Sequence, residues 1–118
     1  MTNRPWIEHY PENVSPEIEQ LGFQNLPDLF KASATEYSKQ KAFTQVMPNG
    51  MNGSLTFKQI DQHSDSFARY LREELGLKPG DRVAVQMPNC LAYPIVSFAI
   101  FKAGLVLVNT NPLHTASE

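Results

Sequence analysis

The sequence predicts an α/β fold. Three observations carry that prediction. Helix-period apolar stripes flank a turn-rich hairpin signal, the second half runs strand–helix–strand, and the last third is almost free of charge and ends in a continuous β-branched run. Residues 1–40 carry three basic and six acidic side chains, and residues 41–82 carry six and five. From Val83 to Ser117 the lone charge is Lys102. A stretch so poor in charge is built to be covered on most sides, and 118 residues have limited means of covering it. Residues 25–118 are therefore expected to be an incomplete α/β segment of a larger domain, preceded by an extended N-terminal arm over residues 1–24.

The arm contains Pro5, Pro11 and Pro16 and shows no clear period. Trp6, Tyr10 and Phe23 are its anchors, because a solvated tail has little use for a Trp and a Tyr four residues apart. Trp6 and Tyr10 are read as interface residues that dock either on their own domain or on a partner subunit.

Asn25 and Pro27 open a helix, since Asn caps well and proline is tolerated in a first turn whose N–H groups have no partner. Leu26, Leu29, Phe30, Ser33, Ala34 and Tyr37 fall on one face, and the helix should fade by about Gln40. Residues 42–47 alternate as a strand. Pro48 to Gly53 is turn chemistry, and Leu55-Thr56-Phe57 is a second short strand, which together make a β-hairpin. Thr56 and Gln59 form a capping box that starts a second helix with an apolar stripe of Ile60, Phe67, Leu71 and Leu75. Gly76 stops it, with Leu77 as the accompanying hydrophobic contact.

Lys78 to Asp81 is a tight turn, and Arg82 to Met87 a strand. A third helix runs from about Cys90 to Ala103, with Pro94 near its first turn and Gly104 just past its end. Leu105 to Asn109 suits the interior of a parallel sheet. Thr115 and Glu118 are spaced as another capping box, which announces a helix the chain does not supply.

Composition excludes several classes. With 42% hydrophobic and 19% charged residues the chain is too apolar for a disordered tail. A net charge of −2 offers no basic field for a phosphate backbone, so nucleic acid is not an expected partner. Cys90 is the single cysteine, which rules out an internal disulfide and suits a reducing, cytoplasmic setting. Met1 to Tyr10 lacks the apolar segment of a signal peptide. Leu91 to Val108 is apolar enough to suggest a membrane span, but Pro94, Ser97, Lys102 and Gly104 make helix, stop and buried strand the better description.

The search for chemistry returns mostly negatives. No G-x-G or Gly-Lys exists, and the G-x-x-G of Gly50 and Gly53 sits inside the hairpin turn. His9, His63 and His114 have no metal-ligand spacing, and His63 and Ser64 are adjacent on a helix and do not face one another. His114 follows a buried strand, where open parallel sheets bind ligands, though a turn histidine is the plainer reading. Cys90 at a helix start has no base near it in sequence and reads as a packed residue. No catalytic, cofactor-binding or metal-binding residue is assigned.

Three motifs stand in order. Leu55-Thr56-Phe57-Lys58-Gln59-Ile60, Gly80-Asp81-Arg82-Val83-Ala84, and Phe101-Lys102-Ala103-Gly104 followed by Val108-Asn109-Thr110-Asn111-Pro112 resemble the N-terminal part of the acyl-adenylate-forming, AMP-binding enzymes. That superfamily includes acyl-CoA synthetases, luciferases and the adenylation domains of peptide synthetases. Trp6 to Pro11, Met87-Pro88-Asn89, Tyr93-Pro94 and Asn109 to Leu113 further resemble the bacterial long-chain fatty-acid–CoA ligases.

The resemblance implies a fragment of a large N-terminal α/β domain. The parent would take fatty acid, ATP and coenzyme A, with magnesium, and proceed through acyl-AMP and pyrophosphate to the thioester and AMP. It further implies a homodimer through the arm and a cytoplasmic enzyme, peripheral on the inner face of the membrane. That chemistry relies on a Ser/Thr/Gly-rich loop with a lysine, a magnesium-coordinating glutamate, an aspartate for the ribose and a lysine of a C-terminal domain. None of those motifs occurs between Met1 and Glu118, so the fragment is expected to be inactive alone, with a scaffold and assembly role. A related carboxylate–CoA ligase with another acid, or a non-catalytic protein-contact module, are the alternatives.

Overall fold

A computed structural model describes residues 4–18, 21–113 and 115. Its elements are α1 (Leu26–Glu36), β1 (Lys41–Val46), β2 (Asn52–Thr56), α2 (Phe57–Arg69), β3 (Arg82–Val85), α3 (Ala92–Lys102) and β4 (Val106–Asn109), with a single 3₁₀ turn, Pro5–His9, in the arm. His114 and Glu118 lie outside the described residues, and with them the second capping box.

The start signals work as read. The Asn25 side chain accepts from the Asp28 N–H at 2.8 Å and caps α1. Thr56 Oγ1 accepts from the Gln59 N–H, and Gln59 Oε1 accepts from the Thr56 N–H, which completes the capping box of α2. The stops differ more. α1 ends at Glu36 rather than near Gln40, because Tyr37 leaves helical geometry. α2 does not run as α-helix to Gly76. Its last turn, Tyr70–Glu74, is π-helical, with the Leu75 N–H reaching back to the Tyr70 carbonyl, and Gly76 then turns the chain at φ +66°. The wider turn keeps Leu71 buried while Leu75, expected on the apolar stripe, stays exposed.

β1 and β2 form the antiparallel hairpin, with an irregularity between Lys41 and Phe43. β3 and β4 pair in parallel, from Arg82 opposite Val106 to Val85 opposite Asn109, and α3 is the crossover between them. β3 stops at Val85, two residues short of the expected Met87, where Thr110 bonds the Val85 carbonyl. Gly104 takes φ +71° between α3 and β4, and its carbonyl accepts from the Gly80 N–H of the 78–81 turn.

Two apolar clusters make the core. One joins Ala68 and Leu71 to Val85, Ala99, Ile100, Ala103 and Leu105. The other joins Phe30, Ala34 and Ile60, flanked by Leu55, Phe57, Ile95 and Phe98. α3 contributes to both. The outer face of the parallel pair is not covered as its sequence expects, for Val106 is 44% exposed and Val108 36%. A parallel sheet needs apolar cover on both faces, and here α3 supplies one. The radius of gyration is 18.6 Å, against about 13 Å for a compact chain of roughly this length.

Candidate functional site

The carboxyl ends of β3 and β4 open onto a polar cleft of about 330 Å³, lined by Met87, Asn89, Tyr93, Asn109, Thr110 and Asn111 among others. The position is where open parallel sheets bind ligands. Tyr93 Oη donates to Asn109 Oδ1 at 2.9 Å and ties the start of α3 to the end of β4. Thr110 Oγ1 donates to the Val85 carbonyl, and Gln86 Nε2 to that of Asn111. Among the described residues that line the cleft none is an Asp, Glu, Lys, Arg, His or Cys.

The charged centre lies elsewhere, where α1, α2 and α3 meet. Asp61 is buried on α2 and divides its carboxylate between two lysines. Oδ1 accepts from Lys102 Nζ of α3 at 2.7 Å, and Oδ2 from Lys31 Nζ of α1 at 2.7 Å. Lys102 Nζ also donates to the Asp61 carbonyl at 3.1 Å and to Asp65 Oδ1 at 2.6 Å, which uses all three of its N–H groups. The ammonium stands 5.5 Å from the centre of the Phe30 ring. Burial pushes the Asp61 carboxyl up, but its bonds to Lys102 and Lys31 outweigh that and hold it below the usual carboxylate range. The bond to Asp61 raises Lys31 above an ordinary lysine. Because both acids are engaged by lysine, they do not fit a magnesium ion, and among the described residues no group of three His, Cys, Asp or Glu side chains is placed to hold a metal.

A third feature is an apolar groove of about 340 Å³ between α1 and the hairpin, walled by Leu26, Leu29, Phe30, Phe43, Phe57 and Phe98. Half of the expected α1 stripe is uncovered: Phe30 and Ala34 are buried, whereas Leu26 and Leu29, both on this groove, and Tyr37 are exposed.

The sequence-predicted residues are not brought together. Trp6 and Tyr10 sit on and just after the 3₁₀ turn, 54% and 42% exposed. The arm doubles back far enough for Arg4 to pair with Glu17 at 2.6 Å, with both side chains exposed. Cys90 is half-buried in the turn before α3, and His63 is exposed on α2. The Leu91–Val108 segment is helix, glycine turn and strand, and no helix among the described residues is long and apolar enough to cross a membrane. Asp61 was not singled out from sequence. The signal that could have found it is Lys102, a lone charge in an apolar segment that needs a buried partner.

Residues 30–118 match the family described as AMP-binding enzyme. The chain is 44% identical over 113 residues to a long-chain-fatty-acid–CoA ligase of Salmonella typhimurium, covering 96% of this chain and 19% of that enzyme. It is 32% identical over 117 residues to the enzyme of the same name from Bacillus subtilis, covering 99% of this chain and 20% of that one. The chain thus spans about a fifth of the length of these relatives. Among solved structures, the fatty acyl-adenylate ligase from L. pneumophila, in complex with acyl adenylate and pyrophosphate, superimposes with a TM-score of 0.70 at 28% identity, over 76% of this chain and 16% of that one. The capped start of α2, the strand entry at Gly80 to Ala84 and the Lys102 turn all lie within the matched residues, and the chain belongs to the AMP-binding enzyme family.

Proposed function

We propose that this chain builds the first section of the large domain of an ATP-dependent long-chain fatty-acid–CoA ligase. The whole enzyme would join fatty acid and ATP to acyl-AMP and pyrophosphate, then pass the acyl group to coenzyme A. The observation that carries this reading is the 44% identity sustained over 96% of the chain with an enzyme of that name. The phosphate-loop, magnesium, ribose and C-terminal-lysine motifs that the resemblance implies do not occur in this stretch of sequence. The part given to it here is therefore scaffold and assembly, and magnesium would be held by other parts of the enzyme. The cytoplasm, peripherally at the inner membrane face, is the proposed site of action.

A second reading keeps the family and changes the acid. It is favoured by 39% identity over 112 residues to the salicyl-AMP ligase / salicyl-S-ArCP synthetase of Mycobacterium tuberculosis. ATP–pyrophosphate exchange separates the readings. The 118-residue chain alone is expected to give background exchange with every acid, and a full-length ligase containing it to give exchange with long-chain fatty acids. Exchange by the chain alone overturns the scaffold role. Preference of the full-length enzyme for aryl or short acids overturns the long-chain assignment.

The arm is proposed to dock through Trp6 and Tyr10, on its own domain or on a second subunit. Their exposure supports this, because large aromatic side chains left open to water are common interface anchors.

A further inference from the structure

α3 poses a packing problem. Its sequence, AYPIVSFAIFK, is apolar on every side, and of its eleven residues only Ala92 is exposed. An amphipathic helix is oriented by its stripe. α3 has no such stripe, so a rotation of one residue, about 100°, would present a surface as apolar as the native one. Apolar cores tolerate volume-conserving repacking and lose uniqueness before they lose stability, so alternative dockings of an all-apolar helix cost little stability. Tyr93 ties the helix to β4, its own neighbour in sequence, and leaves its docking on α2 open. Ser97, the other polar side chain in its middle, is buried and has no hydrogen-bond partner among the described residues.

The Leu91 N–H reaches Gln45 Oε1 of β1 and Arg72 Nη1 reaches the Ala103 carbonyl, each at 3.3 Å, but both use backbone atoms at the ends of α3. Among the described residues Lys102 is the side chain of α3 that bonds α2. It is the lone charge between Val83 and Ser117. Its side chain and that of Asp61 are each 12% exposed. Three donors meet three acceptors, all on α2, at 3.1 Å or less. A rotation of α3 by one residue would strip Asp61 of one of its two lysines and take the buried Lys102 ammonium from all three of its acceptors, a cost that alternative apolar contacts do not offset. We propose that the Asp61–Lys102 pair is a register lock, which selects one docking of α3 on α2 and so aligns the parallel strand pair with the α1–α2–hairpin layer. The lock also joins two of the sequence motifs, for Asp61 directly follows Leu55–Ile60 and Lys102 lies inside Phe101–Gly104.

The pair's contribution is choice of packing rather than net stability, since buried ion pairs are often replaced by apolar side chains without loss. The test compares D61L, K102M and the D61L/K102M double variant of the full chain. The double variant buries no charge: Lys31 and Asp65, which lose their partner, have side chains 61% and 55% exposed and return to water. Each single variant is expected to melt well below the parent. The double variant should recover most of that loss and keep its helix content. Its amide NMR signals over residues 92–103 should nevertheless split or broaden, and the ring contact between Phe30 and Phe98 should weaken. One sharp set of signals with the native Phe30–Phe98 contact would overturn the proposal, because apolar shape alone would then set the register. A double variant as unstable as the singles would overturn it too, because the pair would then be supplying stability.

Discussion

Phe30 of α1 lies flat on Phe98 of α3, with ring centroids 3.8 Å apart and planes 18° from parallel. Both rings line the apolar groove, and the Lys102 ammonium of the charged centre stands 5.5 Å from the centre of the Phe30 ring. Phe30 is 5% exposed. Replacing it by Ala should destabilise the chain by about 3–5 kcal/mol, the usual cost of emptying a buried aromatic site. Phe30→Leu should cost clearly less, because most of the volume stays filled. Urea unfolding of both variants checks the order, and equal losses would show that the ring stacking itself matters more than the volume.

The capping box of α2 gives a smaller and more local effect. Thr56→Ala removes the acceptor of the Gln59 N–H and should cost about 1 kcal/mol. Thr56→Ser keeps the hydroxyl and should be near neutral. Thermal unfolding followed by helix circular dichroism separates them.

Much of this fold was legible because its punctuation is local. Asn25, Thr56 with Gln59, and Gly104 each act on the few residues beside them, so sequence alone placed the start of each helix within about two residues. The hairpin turn, by contrast, is tighter than the expected 48–53, for Asn52 and Gly53 already pair with Val46 and Gln45 in β2. What was not legible depends on distant partners. The π-helical turn at Tyr70–Glu74 coincides with the burial of Leu71 and with Arg72 reaching the Ala103 carbonyl, 31 residues on. The exposure of Val106 and Val108 depends on which surfaces find cover, a matter no strand propensity reports. Asp61 was hidden by its type: one residue after Ile60 on the inner face of α2, it reads as a surface acid until Lys102 is brought beside it.

Acid should find that same carboxylate. Lys102 and Lys31 lower the pKa of Asp61 in the folded chain relative to an ordinary aspartate, despite its burial. A group with a depressed folded pKa contributes stability that is fully present above its unfolded value, about 3.9, and is lost as pH falls through the folded one. Stability should therefore hold level down to about pH 5 and decline below about pH 4. Asp61→Asn should be less stable at neutral pH and show a shallower acid decline. A decline of unchanged steepness in that variant would assign the acid sensitivity to other carboxylates.

The arm offers the sharpest test of assembly. Trp6 is more than half exposed on a single 3₁₀ turn, with Tyr10 just beyond it. A tryptophan buries a large area at little entropic cost when a partner covers it, and interface aromatics of that kind contribute about 1–3 kcal/mol each. Trp6→Ala in the full-length protein should therefore weaken dimerisation by about 1–3 kcal/mol if the arm docks on a second subunit. If it docks on its own domain, thermal stability should fall while subunit affinity stays unchanged. Sedimentation over a dilution series, run beside a melting curve of the same variant, distinguishes the two. A variant unchanged in both would show that Trp6 and Tyr10 are solvated in the assembled enzyme, and the docking role proposed for the arm would be wrong.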